Sequence, residues 1–213
     1  MASVKPRLVV RGRTQDPIAR LQTSEKADSQ PARFSGGMWA IILFVSSEAM
    51  FFAALFTTYF YLRTKLPAWE PVFGHKPGWE GLPLANTIIL VASSLTMQLG
   101  VWAIRKNDRR MLKVWLAVTF VMGAVFLAGQ GYEYLQLGFL PVDGIFAATF
   151  FTLTGFHGAH VFGGVMFIGI CLLRALKGQF SANRHLAVEA ASIYWHFVDV
   201  VWIGLFTVIY IIG

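Results

Sequence analysis

Five apolar stretches, each long enough to cross a bilayer, decide what this chain can fold into: 38–62, 84–104, 112–137, 144–173 and 186–212. A hydrocarbon core about 30 Å thick takes roughly 20 apolar residues per helical crossing, and the fourth stretch is long enough to require tilt. Five crossings use most of the 213 residues, which leaves no length for a separate soluble catalytic domain. A content of 56% hydrophobic and 14% charged residues agrees, because water-soluble domains carry about a quarter charged residues. The predicted fold is all-α, an integral membrane bundle of five transmembrane helices.

Residues 1–37 read as a polar, basic tail, with no apolar run long enough for a signal peptide; residues 38–213 form the membrane domain. Between the first two stretches lies a loop rich in Pro, Gly and Trp (Pro67, Trp69, Pro71, Gly74, Pro77, Gly78, Trp79, Gly81, Pro83), a composition that breaks helix and suits the membrane interface. The connection Gly138–Asp143 is short, so the third and fourth helices are expected as antiparallel neighbours. Basic residues set the orientation. The tail carries seven Lys or Arg, the Arg105–Lys113 loop five and the Arg174–Arg184 loop three, against Arg63, Lys65 and Lys76 on the other side. Fifteen against three predicts a cytoplasmic N-terminus and an external C-terminus. The same distribution accounts for the net charge of +7 without a nucleic-acid partner. A single cysteine, Cys171, excludes an internal disulfide and any Cys-rich zinc or iron–sulfur site, and no phosphate-cradling glycine loop is present.

Inside the predicted spans lie Glu48, Glu133, Glu189, Asp199, His157, His160 and His196. An ionisable group in hydrocarbon costs at least ~2.5 kcal/mol on insertion scales, so this buried polar and carboxylate set requires partners or a purpose. Interhelical hydrogen bonding that glues the bundle is one reading; a functional site is the other. At 100° per residue Glu189 and His196 share a face of the fifth helix, with Asp199 some 60° round. Trp195 and Trp202 form a separate stripe that reads as packing. Gly155, Ala159 and Gly163 recur every four residues, a seam that invites a neighbouring helix. Counting ~1.5 Å per residue from the basic side puts Glu48 at ~15 Å, His196 and Asp199 at ~16 and ~21 Å, and His160 and His157 at ~21 and ~25 Å. Five ionisable groups therefore share the middle of the bilayer, each imidazole with an acid expected in reach. Glu133 falls nearer the outer end, beside Tyr132 and Tyr134. His157 with His196 or His160 has the makings of a haem or metal pair, but three histidines are few and no haem-attachment motif exists. A self-contained transporter lacks its usual paired repeats and broken helices.

Five segments, one per helix and in order, closely resemble subunit III of the haem–copper oxidases: WAIILFVSSEAMFF (39–52), ASSLTMQLG (92–100), GQGYEY (129–134), TGFHGAHV (154–161) and YWHFVDVVW (194–202). The chain resembles the short five-helix bacterial form, which lacks the first two helices of the seven-helix form. The resemblance implies a non-catalytic subunit of a proton-translocating terminal oxidase in the bacterial plasma (inner) membrane, reducing oxygen to water with electrons from cytochrome c. It implies no metal, cofactor or catalytic residue in this chain; haem and copper belong to partner subunits I and II. Subunit III packs on subunit I, binds phospholipid and supports proton uptake and enzyme lifetime. Glu48 matches the carboxylate modified by carbodiimides, chemistry that needs a protonated acid; His160 and Arg174 match positions associated with lipid headgroups. For Arg174, ordinary positive-inside topology is an equal reading. Three further readings stay open: a quinol oxidase subunit III, to which the Ser47–Glu48 pair is opposed by one residue; a stand-alone membrane structural or lipid-binding protein; and membership of a supercomplex.

Overall fold

The computed structural model describes residues 36–65, 78 and 80–212. The 1–37 tail, except Gly36 and Gly37, and most of the Pro- and Trp-rich loop lie outside the described residues. Five long helices follow one another: α1 (Gly36–Lys65), α2 (Leu82–Arg105), α3 (Arg109–Gln136), α4 (Ile145–Leu176) and α5 (Leu186–Phe206), the last continuing as a wide π-helical segment, Thr207–Ile212. All five are long and apolar enough to cross a membrane, and the described residues contain no strand beyond one isolated bridge between Ser181 and Arg184.

Local chemistry sets the helix ends. Pro83 stands in the first turn of α2 behind Gly81 at φ 82°, where its missing N–H is not needed. α2 closes with Asp108 N donating to Ala103 O (2.9 Å) and Asn107 N to Ile104 O (2.8 Å). This double closure needs a left-handed residue, and Asn107 supplies it at φ 59°. Asp108 then caps α3, its Oδ1 accepting from Arg110 N (3.1 Å) and Met111 N (3.0 Å). α4 ends in the same closure, with Gly178 at φ 70° in the left-handed place. Ala182 N donates to Asn107 Oδ1 (3.2 Å), tying the two basic connections together.

α2, α3, α4 and α5 pack into a four-helix bundle in which α2 pairs with α3 and α5, α3 with α4, and α4 with α5. α3 and α4 are the neighbours expected from their short connection. α1 stands outside, against α5 and more lightly α4, with Phe52 and Tyr59 as its buried residues. Its serine and threonine hydroxyls satisfy themselves: Ser46, Ser47, Thr57, Thr58 and Thr64 each donate to a carbonyl three or four residues back. A helix built this way presents few unpaired groups to hydrocarbon.

The interior is organised around Trp195. Its ring is fully buried and its Nε1 donates to Ser93 Oγ at 2.9 Å. Gly164 on α4 and Gly123 on α3 give it room, since a Cβ would come within 2.8 Å of the indole at Gly164 and 2.7 Å at Gly123. The expected close seam at Gly155, Ala159 and Gly163 is therefore displaced. Ala159 is exposed, and a Cβ at Gly155 or Gly163 would meet only a tyrosine hydroxyl, at 4.0 and 3.5 Å. The reason is bulk: the glycines that matter face the largest side chain of α5. Trp202 likewise packs, fully buried, with Nε1 donating to Thr87 Oγ1 at 3.0 Å.

Candidate functional site

The polar residues of the spans are distributed over separate stations along the bundle. Nearest the basic connections, Glu189 Oε1 accepts from Arg105 Nη2 (2.7 Å) and Nε (3.1 Å), and His185 Nε2 lies 3.3 Å away. Glu189 sits in the first turn of α5, where a carboxylate also meets the positive end of the helix dipole. Its pairing with His185 four residues earlier is readable as a helical spacing; its pairing with Arg105 across 84 residues is not.

About two to three turns further along the same seam, α2 and α5 exchange a chain of bonds. Ser94 Oγ donates to Asp199 Oδ2 (2.8 Å), which leaves Ser94 Oγ to accept from His196 Nδ1 (3.2 Å); His196 Nε2 meets the Gln98 amide at 3.3 Å. Asp199 and His196 are thus joined through Ser94, which the helical-face argument did not select. Asp199 Oδ1 has no partner.

Glu48 and His160 form the third station. His160 Nε2 lies 2.9 Å from Glu48 Oε2, bridging α1 and α4, and His160 Nδ1 lies 2.7 Å from the Phe156 carbonyl. The rings of Phe52 and Phe51 pack around the imidazole at 4.9 and 6.2 Å. His157, one turn away on α4, departs from the expectation that each imidazole has an acid in reach. It is fully buried, stacked on Trp202 at 4.9 Å with Phe126 and Phe52 edge-on, and neither ring nitrogen has a hydrogen-bond partner.

Glu133 is the fourth. Tyr210, from the π-helical end of α5, donates to its Oε1 at 2.6 Å; the neighbours proposed from sequence do other work, Tyr134 bonding Thr154 Oγ1 at 2.7 Å while Tyr132 is exposed. Glu133, Glu80 and Gln136 line an open cavity of about 340 Å³ together with Gly78, Leu82, Pro83 and Leu137.

Arg174 lies in the last turn of α4. Its Nε donates to Gln179 Oε1 (3.0 Å) and its guanidinium lies over Phe180, 4.9 Å from the ring centre. Towards the opposite end, a groove of about 200 Å³ opens between α1 and α4, lined by Leu55, Thr58, Leu62, Ala148, Thr149, Thr152 and Leu153. Among the described residues no three His, Cys, Asp or Glu side chains gather as a metal-ligand set.

Spanning helices joined by paired polar side chains define a multi-pass helical membrane protein. Sequence comparison makes the class specific. The pattern of the family described as cytochrome c oxidase subunit III matches residues 21–213. A cytochrome c oxidase subunit 3 from Synechocystis sp. is 45% identical over 177 residues, covering 82% of this chain and 75% of the relative. A probable cytochrome c oxidase subunit 3 from Nocardia farcinica is 44% identical over 177 residues, with 80% and 85% covered. The pig protein, also a cytochrome c oxidase subunit 3, is 39% identical over 181 residues, with 82% and 69% covered. The chain belongs to the cytochrome c oxidase subunit III family, and so to an oxidase complex.

Proposed function

We propose that this chain is the non-redox subunit of a proton-translocating cytochrome c oxidase of a bacterial plasma membrane, packing on subunit I and supporting proton uptake and the working lifetime of the complex. Family membership across residues 21–213 carries the reading. The engagement of the imidazoles supports the non-redox part. His160 is held by Glu48 and the Phe156 carbonyl, His196 by Ser94 and Gln98, and His157 is enclosed by Phe52, Phe126 and Trp202. Haem and copper, with the cytochrome c donor site, then belong to subunits I and II. An affinity tag on this chain should recover subunits I and II with their haem absorbance, and the chain separated from them should carry none. Recovery of the chain without haem proteins refutes the assignment; a Soret band on the separated chain refutes its non-redox role.

Phospholipid binding is the second part of the reading. With Arg174 Nε on Gln179, the two Nη groups remain to take a headgroup phosphate. His160 offers no free nitrogen, so a headgroup there would have to displace Glu48. From Leu153 to Arg174 a helix rises roughly 30 Å, so an acyl chain in the α1–α4 groove and a phosphate on Arg174 belong to lipids of opposite leaflets. Arg174→Ala should lower retained phospholipid, measured by mass spectrometry of the purified complex, with the haem spectrum intact and sustained turnover falling before the initial rate. Unchanged lipid and unchanged lifetime reduce Arg174 to a topology signal.

A further inference from the structure

We propose that Glu48 and His160 hold one proton between them, and that this shared proton is a latch seating α1 on the bundle. The count follows from the bond pattern. A backbone carbonyl only accepts, so the 2.7 Å contact between His160 Nδ1 and Phe156 O puts a proton on Nδ1. The 2.9 Å contact between Nε2 and Glu48 Oε2 then needs one further proton. It resides either on the carboxyl, donating to a neutral ring, or on Nε2, donating to a carboxylate. With none, two lone pairs face each other; with two, the carboxyl oxygen can still accept from Nε2 but a lone positive charge is left among apolar groups. Only the one-proton state is both bonded and neutral overall, as hydrocarbon demands.

The same bond is mechanical. It joins residues 112 apart on two helices that otherwise touch lightly, and Phe51 closes the neighbouring surface by packing on Phe156 at 5.1 Å. The other titratable groups around the pair are His157, on the same helix and also touching Phe52, and Tyr194 on α5, whose hydroxyl donates to the His160 carbonyl at 3.1 Å. Tyr194 therefore holds the backbone of the latch without entering its proton count. The pair is not sealed inside the protein, with 16% of the His160 side chain and 23% of the Glu48 side chain exposed. This proposal stands on the bond geometry and does not depend on the oxidase assignment.

The test uses the assembled complex in lipid nanodiscs. Infrared spectra with carboxyl-labelled glutamate, differenced against Glu48→Gln, isolate the Glu48 band, and ring-nitrogen NMR differenced against His160→Gln isolates the imidazole. The expected result is an acid band with a neutral ring, or a carboxylate band with an imidazolium. A carboxylate beside a neutral ring, or an acid beside an imidazolium, overturns the shared proton. Spin labels at Leu43 and Ile170, both exposed, read the latch. Glu48→Gln keeps a donor for Nε2 and should keep the wild-type distance distribution, whereas Glu48→Ala should broaden it. An unchanged distribution in Glu48→Ala, or equal broadening in both variants, overturns the latch. If Glu48→Ala does not assemble, Glu48→Leu in its place is held to the same two outcomes.

Discussion

Replacing Gly164 by Ala adds one methyl group where the bundle has no room for it. The new Cβ would lie 2.8 and 2.9 Å from Trp195 Cε3 and Cζ3 and 3.2 Å from Tyr194 Cε1. Carbon atoms settle at about 3.5–4.0 Å, so the indole would have to withdraw by roughly 0.6–1.2 Å. It cannot do so freely: Gly123 lies close on its other flank, and Nε1 is tied to Ser93. With relaxation blocked, the penalty should reach the upper part of the overpacking range, about 3 kcal/mol, roughly a hundredfold in the folded-to-unfolded ratio. For a chain of this size that corresponds to a fall of about 6–12 °C in melting temperature. Cys171 is the sole cysteine and is buried, so a dye that fluoresces on reaction with thiols reports melting of the isolated chain in lipid. Gly131→Ala is the matched control, because nothing lies within 4 Å of its Cβ; it should be neutral or stabilise by about 0.5–1 kcal/mol. The clash should also vanish on Trp195→Phe, whose smaller ring leaves the space, so the double variant should melt no lower than Trp195→Phe alone. A harmless Gly164→Ala, or penalties that simply add, would refute the packing argument.

Three further outcomes are expected. Asn107→Gly keeps the left-handed turn and loses only the bond to Ala182, so it should destabilise by about 1 kcal/mol, whereas Asn107→Ala loses both and should cost about 2; the same thermal assay ranks them. Tyr210→Phe strips Glu133 of its 2.6 Å donor and should cost about 1.5–3 kcal/mol, with much less when Glu133 is already Leu, as a double-mutant cycle would read. Accessibility tags at residue 2 and after Gly213 should label from opposite faces of the membrane, the first cytoplasmic; the same face for both would break the five-crossing topology.

The spans were legible because bilayer thickness imposes a minimum apolar length, and the short Gly138–Asp143 link made α3 and α4 neighbours. Which side of each helix faces inward was far harder to read. In water an apolar stripe marks the core, but in lipid the outside is apolar too, and α1 carries Leu43, Met50 and Tyr61 exposed in a stretch as apolar as any buried one. Polar residues marked positions of interest without naming partners. Glu133 drew attention to adjacent tyrosines, yet its donor is Tyr210, 77 residues away. Helical spacing puts His196 and Asp199 on neighbouring faces, while Ser94, which joins them, gives no signal because serine is common in apolar helices. Periodicity gives a residue's angle on its own helix; the rotation of that helix against its neighbours depends on bulk such as Trp195 finding Gly164 and Gly123.

The wide π-helical end of α5 lends its carbonyls to α1: Tyr59 Oη donates to Val208 O at 3.3 Å and Arg63 Nη2 to Ile212 O at 3.0 Å, each across 149 residues. In order of synthesis this fastens α1 to the end of α5, 149 residues later. At about 5–20 residues per second, α1 waits on the order of ten seconds in the bilayer before those two bonds can form. Its self-bonded serines and threonines suit a helix that waits through that interval in lipid, held first by the lighter contact of α4 and then by α5.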